Sequence, residues 1–153
     1  MSSRFVDLSH AIHDGLVTYP GLPAAKVSTH LAHEASEPHY APGTCFHIGR
    51  IEMVANTGTY LDTPYHRFPD GFDCAALPLE SVADLPGAVV DVPAGVRAAD
   101  ASLLPDRDLR GRAVLFRTGW SRHWGRAAYA DGHPFLTRSC ARALVERGAA
   151  LVG

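Results

Sequence analysis

The chain has 153 residues, of which 46% are hydrophobic and 20% charged. That composition suits one folded domain and excludes the low-apolar, high-charge signature of disorder. The formal net charge is −2, with basic residues scattered from Arg4 to Arg147, which excludes the basic footprint of a nucleic-acid binder. Lys26 is the only lysine, so a phosphate loop ending in Gly-Lys is excluded, as is a Schiff-base lysine elsewhere.

Cys45, Cys74 and Cys140 are widely spaced and form no C-x-x-C pair. They read as small core residues rather than as a disulfide framework or a zinc knuckle. Met1 to Leu8 lacks a basic region followed by an apolar run, and no segment approaches the roughly 20 apolar residues that span a bilayer. A cytoplasmic protein without a membrane partner is expected.

Phe5 to Leu8 reads as a first strand, followed by a long loop punctuated by Gly and Pro from Asp14 to Pro23. Val27, Thr29 and Leu31 alternate with Ser28 and His30 and predict a half-buried strand. Glu34 to Gly43 shows no usable period. Cys45 to Val54 alternates again, with a bulge expected near Gly49. Pro69-Asp70-Gly71 marks a turn, and Pro78 to Ala83 predicts one helical turn opened by proline. The apolar runs Gly87 to Val92 and Ala113 to Phe116 suit strands buried on both faces. Thr137 is the expected N-cap of a helix that places Cys140, Ala141, Leu144 and Val145 on one side and stops at Gly148. A last strand, Ala149 to Val152, follows at once.

Strand, helix and strand in that order predict a parallel crossover pair, and the earlier strands an additional antiparallel sheet. The fold class is α/β with mixed sheets, in a single domain over residues 1–153. Because the chain stops at Gly153 as an apolar strand begins, a longer parent sequence is expected. An exposed strand edge there predicts a homo-oligomer.

Asn56 to His66 reads N-T-G-T-Y-L-D-T-P-Y-H, and it concentrates polar groups as no other stretch does. Asp62 stands four residues before His66, Asn56 and Tyr60 precede both, and Gly58-Thr59 lets the backbone turn sharply. A carboxylate and an imidazole so placed can share a divalent metal, or the carboxylate can orient the imidazole as a general base. A loop network of Asp and His with backbone amides would use the same residues. The remaining histidines have simpler readings: His30 alternates within a strand, and His123 lies among arginines and tryptophans. Gly119-Trp120-Ser121-Arg122-His123 lacks the Gly that a nucleophile elbow needs two residues after its Ser, which argues against a serine hydrolase.

The 56–66 stretch resembles H-x-G-T-H-x-D-x-P-x-H, the signature of the cyclase family of metal-dependent hydrolases, which includes bacterial kynurenine formamidase and isatin hydrolase. Phe5-Val6-Asp7-Leu8-Ser9-His10 with Val17-Thr18-Tyr19-Pro20-Gly21 is similar to that family's opening. Leu115-Phe116-Arg117-Thr118-Gly119-Trp120 is similar to an interior strand end, and His133-Pro134-Phe135-Leu136 to the segment after it. The resemblance implies a swivelling β/β/α fold, commonly oligomeric, that hydrolyses an amide or cyclic bond of a small aromatic substrate. It makes Asp62 a metal ligand and His66 a ligand or the general acid/base, with Thr59, Pro64 and Trp120 against the substrate.

Asn56 and Tyr60 stand where the signature has its first two histidines. Asn56 is then at best a neutral, weak metal ligand, and Tyr60 a proton donor whose ionisation costs about 4 kcal/mol at pH 7. Zinc or manganese is accordingly expected to bind weakly or not at all. A metal-independent cyclase or dehydratase in the same pocket, or an inactive binding domain, is the alternative to the hydrolase.

Overall fold

A computed structural model describes residues 5–153, so the first four residues of the N-terminal stretch read above lie outside it. The chain packs as two compact units, Met1–Leu61 and Asp62–Gly153.

In the first unit β1 (Lys26–Leu31) leads through a single helical turn, α1 (His33–Ser36), and a 3-10 turn at Glu37–His39 to β2 (Ile48–Glu52). The two strands pair antiparallel, Lys26 opposite Glu52, and the pair is clamped by Lys26 Nζ to Glu52 Oε1 at 2.9 Å. That hydrogen bond holds the Glu52 carboxyl below the ordinary carboxylate value. The irregularity expected at Gly49 lies on the partner strand instead, between Thr29 and Leu31. His30 is thus the extra residue opposite the Gly49–Ile48 step.

Two further expectations fail in this unit. Phe5 to Leu8 is irregular and exposed, and pairs with no strand of the described residues; without a hydrogen-bonding partner an apolar run has no reason to extend as a strand. β1 is exposed rather than half-buried, since a two-stranded ribbon leaves most of its surface to solvent. The stretch without a period, 34–43, contains the helical turns, which are too short to show one. Ser36 organises them: its hydroxyl donates to His33 O and accepts from Phe46 N.

The second unit is built on β3 (Gly87–Asp91), β5 (Ala113–Arg117) and β7 (Leu151–Val152), a parallel sheet with β5 in the centre. A smaller parallel pair joins β4 (Ala98–Ala99) to β6 (Phe135–Leu136), and α2 (Arg138–Glu146) crosses from β6 to β7. Ala88 and Val90 of β3, Val114 of β5 and Cys140 and Leu144 of α2 form the core, completed by Leu104 and Leu109 from the β4–β5 connection. Each large aliphatic side chain buried there stabilises by about 1.5–3 kcal/mol.

The expectation of strands buried on both faces is corrected here. β3 alternates exposed and buried residues, because helix packing covers one face of the sheet and leaves Val89 and Leu115 open. The α2 face is likewise narrower than expected: Cys140 and Leu144 are buried, Ala143 half-buried, but Ala141 and Val145 face solvent. At 100° per residue Val145 has turned too far from Cys140 to share its contact. Thr137 caps the helix, its hydroxyl accepting from Cys140 N at 3.3 Å. Gly148 ends it with φ +71°, a conformation that favours glycine. Of the cysteines only Cys140 is buried, and burial pushes its thiol up; Cys45 and Cys74 are exposed, on turns that no core element covers.

Candidate active site

The boundary between the two units falls inside the 56–66 stretch. Asn56, Thr57, Thr59 and Tyr60 close the first unit. Thr57 is buried and donates its hydroxyl to Val54 O at 2.7 Å, and Gly58 N donates to Thr18 Oγ1 at 3.2 Å. Gly58 adopts φ +70°, a backbone shape that favours glycine, and a side chain there would need Ile12, whose Cγ1 would lie at 3.1 Å, to give way. Asn56 is half-buried, while Thr59 and Tyr60 are exposed.

Asp62, Pro64 and His66 open the second unit. Pro64 starts a 3-10 turn, Pro64–His66, in which His66 N donates to Thr63 O at 2.9 Å. Proline suits this first position because its missing N–H would be unsatisfied there anyway. The chain then folds back on itself: Phe68 N donates to Pro64 O, Gly71 N to Phe68 O, and Tyr65 N to Phe72 O. Gly71 makes the return possible, since an added Cβ would lie 2.7 Å from the Pro64 carbonyl carbon and 2.8 Å from Tyr65 N.

This loop brings His66 Nδ1 to 3.3 Å from Asp62 Oδ1, with both side chains about half exposed, at 54% and 44%. The separation is slightly long for an N–H···O hydrogen bond. Ligands 2.0–2.1 Å from one tetrahedral zinc would also stand about 3.3 Å apart, so the distance suits a shared ion as well as a shared proton. The number of donors does not suit an ion. Among the described residues no three His, Cys, Asp or Glu side chains come together to hold one, whereas a catalytic zinc takes three protein ligands and a water. Within the described residues Asp62 and His66 supply two of those three.

Trp120, the third residue assigned to the substrate, lies elsewhere in the second unit. It lines a cavity of ≈250 Å³ that reaches from the end of β3 to the turn after β5. Its indole is held by Nε1 donating to Tyr129 O at 3.0 Å. Asp91, Arg97, Arg117 and Arg122 line the same cavity, and none of them stood out in the sequence. They are separated by up to 31 residues and meet only because β3 and β5 pair in parallel.

The family described as "Putative cyclase" matches residues 6–153. The chain belongs to the cyclase family. Kynurenine formamidase of Bacillus cytotoxicus is 28% identical over 99% of this chain and 68% of that enzyme, and that of Bacillus mycoides is 27% identical over the same shares. Among solved structures, one described as a potential metal-dependent hydrolase with cyclase activity superposes with a TM-score of 0.72 at 23% identity, over 97% of this chain and 65% of that one. Isatin hydrolase A from Ralstonia solanacearum superposes with a TM-score of 0.65 at 21% identity, over 94% and 62%. This cyclase-family chain thus spans about two thirds of the curated relatives and slightly less of the solved structures. Both superpositions support the cyclase-family α/β fold with mixed sheets, and no described helix is long and apolar enough to cross a membrane.

Proposed function

We propose that this chain, as one cyclase-family domain over residues 1–153, is a hydrolase acting on an amide or cyclic amide bond of a small aromatic substrate. The observation that carries the reading is the 3.3 Å approach of His66 to Asp62, in a chain that the family matches over residues 6–153. Kynurenine formamidase and isatin hydrolase among the relatives support a C–N bond next to an aromatic ring as the target.

An exposed carboxylate–imidazole pair contributes only about 0–1 kcal/mol to stability, so fold stability gives little reason for its presence. Chemistry gives a better one. With Nδ1 turned to the Asp62 carboxylate, His66 keeps Nε2 for proton transfer. Nε2 takes a proton from water as the oxygen attacks the carbonyl carbon, and the proton then passes to the nitrogen as the C–N bond breaks. Asp62 is a positioning residue that fixes the tautomer and stabilises the imidazolium while it exists. Pro64, on the same turn as His66, contacts the ring.

The test is turnover of N-formylkynurenine and isatin by the purified protein, with and without added zinc or manganese, beside His66→Ala. Turnover that disappears in the variant supports the reading, and failure with both compounds under all conditions removes these substrates.

The amide and phenol at 56 and 60, where the family signature has imidazoles, favour a second reading: acid/base cyclisation or dehydration without a metal. Elemental analysis of the active protein, together with product identification, separates the two. Self-association is also proposed, supported by Ile51, Phe68 and Val145 exposed at 67%, 61% and 78%. A monodisperse monomer by light scattering at high concentration would remove it.

A further inference from the structure

The cavity around Trp120 is lined by no residue of the 56–66 stretch, and its charges go unused in the reaction above. Asp91 ends β3 and Arg117 ends β5, while Arg97 and Arg122 stand on the turns that follow. Three guanidiniums therefore meet one carboxylate in a chain whose formal net charge is −2.

Arg117 donates Nε and Nη2 to Asp91, the latter at 2.8 Å. Arg122 donates Nη1 to Gly119 O and Nε to His123 Nε2, both at 3.1 Å, and its guanidinium carbon lies 5.7 Å from the Trp120 ring centroid. A guanidinium carries five N–H donors, so each of these two keeps donors to spare. The Arg97 side chain has no hydrogen-bond or ion-pair partner among the described residues. Like charges gathered without compensation do not stabilise a fold; an arriving anion would relieve them.

The neighbouring part of the cleft is apolar. A cavity of ≈430 Å³ shares Val92, Thr118 and Pro134 with the first and continues over Phe116, Phe135 and Leu136. Together the two fall in the range of about 300–1,000 Å³ typical of small-molecule sites. They also lie at the carboxyl ends of parallel strands, where open α/β sheets bind ligands.

We propose that this two-part cleft binds a small aromatic carboxylate, its anion between Arg97 and Arg122 and its ring over Pro134, Phe116 and Phe135. The assignment does not rest on the hydrolase reading, and its test measures binding alone. The ¹⁵N-labelled full chain is titrated with 3-phenylpropionate, with the neutral 3-phenylpropanamide and with acetate. Saturable shifts of the Trp120 indole and of the amides around Arg97 are expected for the aromatic acid, with the amide and acetate each at least about tenfold weaker.

Arg97→Gln, at an exposed position without a side-chain partner, should weaken the acid about tenfold and leave the amide unchanged. Phe135→Ala should weaken both. Equal affinity for acid and amide, unchanged affinity for the acid in Arg97→Gln and Arg122→Gln, or no saturable shift by about 10 mM acid would each overturn the proposal.

Discussion

Gly71→Ala is the substitution that most directly tests how the Asp62–His66 loop is held. Gly71 has no left-handed φ, so alanine is conformationally acceptable and the whole effect is one of space. The new Cβ would sit 2.7 Å from the Pro64 carbonyl carbon and 2.8 Å from Tyr65 N, below the 3.0 Å that real Cβ contacts essentially never cross. Both atoms are backbone, so no rotamer change relieves the overlap, and the 64–66 turn must move away from residue 71. Overpacking of this kind costs about 1–3 kcal/mol. The hydrogen bonds Tyr65 N to Phe72 O and Gly71 N to Phe68 O are then stretched, each contributing about 1 kcal/mol net. A loss of about 2 kcal/mol lowers Tm by about 4–8 °C for a chain of this size, read by calorimetry.

Hydrogen exchange should quicken at Tyr65 and Phe68 while the N–H of Val90 stays protected. Because His66 rides on the moved turn, turnover should fall by up to about 10²-fold, the effect expected of a misplacement near 1 Å. Unchanged Tm, exchange and turnover would show that the close approach of residues 64 and 71 is not what holds the loop.

Asp62→Asn should lower turnover by about 10²–10⁴-fold with stability changed by less than about 1 kcal/mol; parallel measurement of rate and unfolding midpoint checks both. Arg117 donating to Asp91 holds that carboxyl below its ordinary 3.8. The folded state therefore gives up this proton more readily than the unfolded chain, so the contribution is complete above the unfolded value and lost as pH falls through the folded one. Asp91→Asn should be less stable than the parent near about pH 6, with the difference shrinking as the pH falls below 3.8, by denaturant titration at each pH. A thiol reagent should label Cys45 and Cys74 quickly and Cys140 only on unfolding, since the first two are exposed and the third is buried; three equal rates would contradict the core. The unmodified protein should hold zinc only weakly in a competition titration against a chelator, because Asp62 and His66 supply two strong donors where a catalytic zinc takes three. Tight stoichiometric zinc in the unmodified protein would refute that account.

What could be read from the sequence was whatever depends on neighbours along the chain. Thr137 as a cap, Gly148 as a stop and the Pro69-Asp70-Gly71 turn are local choices of backbone conformation and hydrogen bonding. The apolar runs at 87–92 and 113–116 predict strands for the same reason. Asp62 and His66 stood out because four residues and a proline-led turn bring them together without help from the rest of the fold.

Burial and convergence were decided elsewhere. Nothing local distinguishes buried Cys140 from exposed Cys45 and Cys74, or tells that only one face of β3 is covered; that depends on where α2 lies across the sheet. Phe5 to Leu8 has the composition of a strand, yet a strand is completed by a partner's hydrogen bonds, which composition cannot supply. Gly71 looked like any turn glycine until its approach to Pro64 was known. Asp91, Arg97, Arg117 and Arg122 are unremarkable charges in sequence, and parallel pairing of β3 with β5, Asp91 beside Arg117, is what turns them into one cleft. Turns, caps and the Asp62–His66 pair are short-range and so are legible along the chain; covered surfaces and the meeting of distant charges follow from strand order and helix placement, which no local stretch encodes.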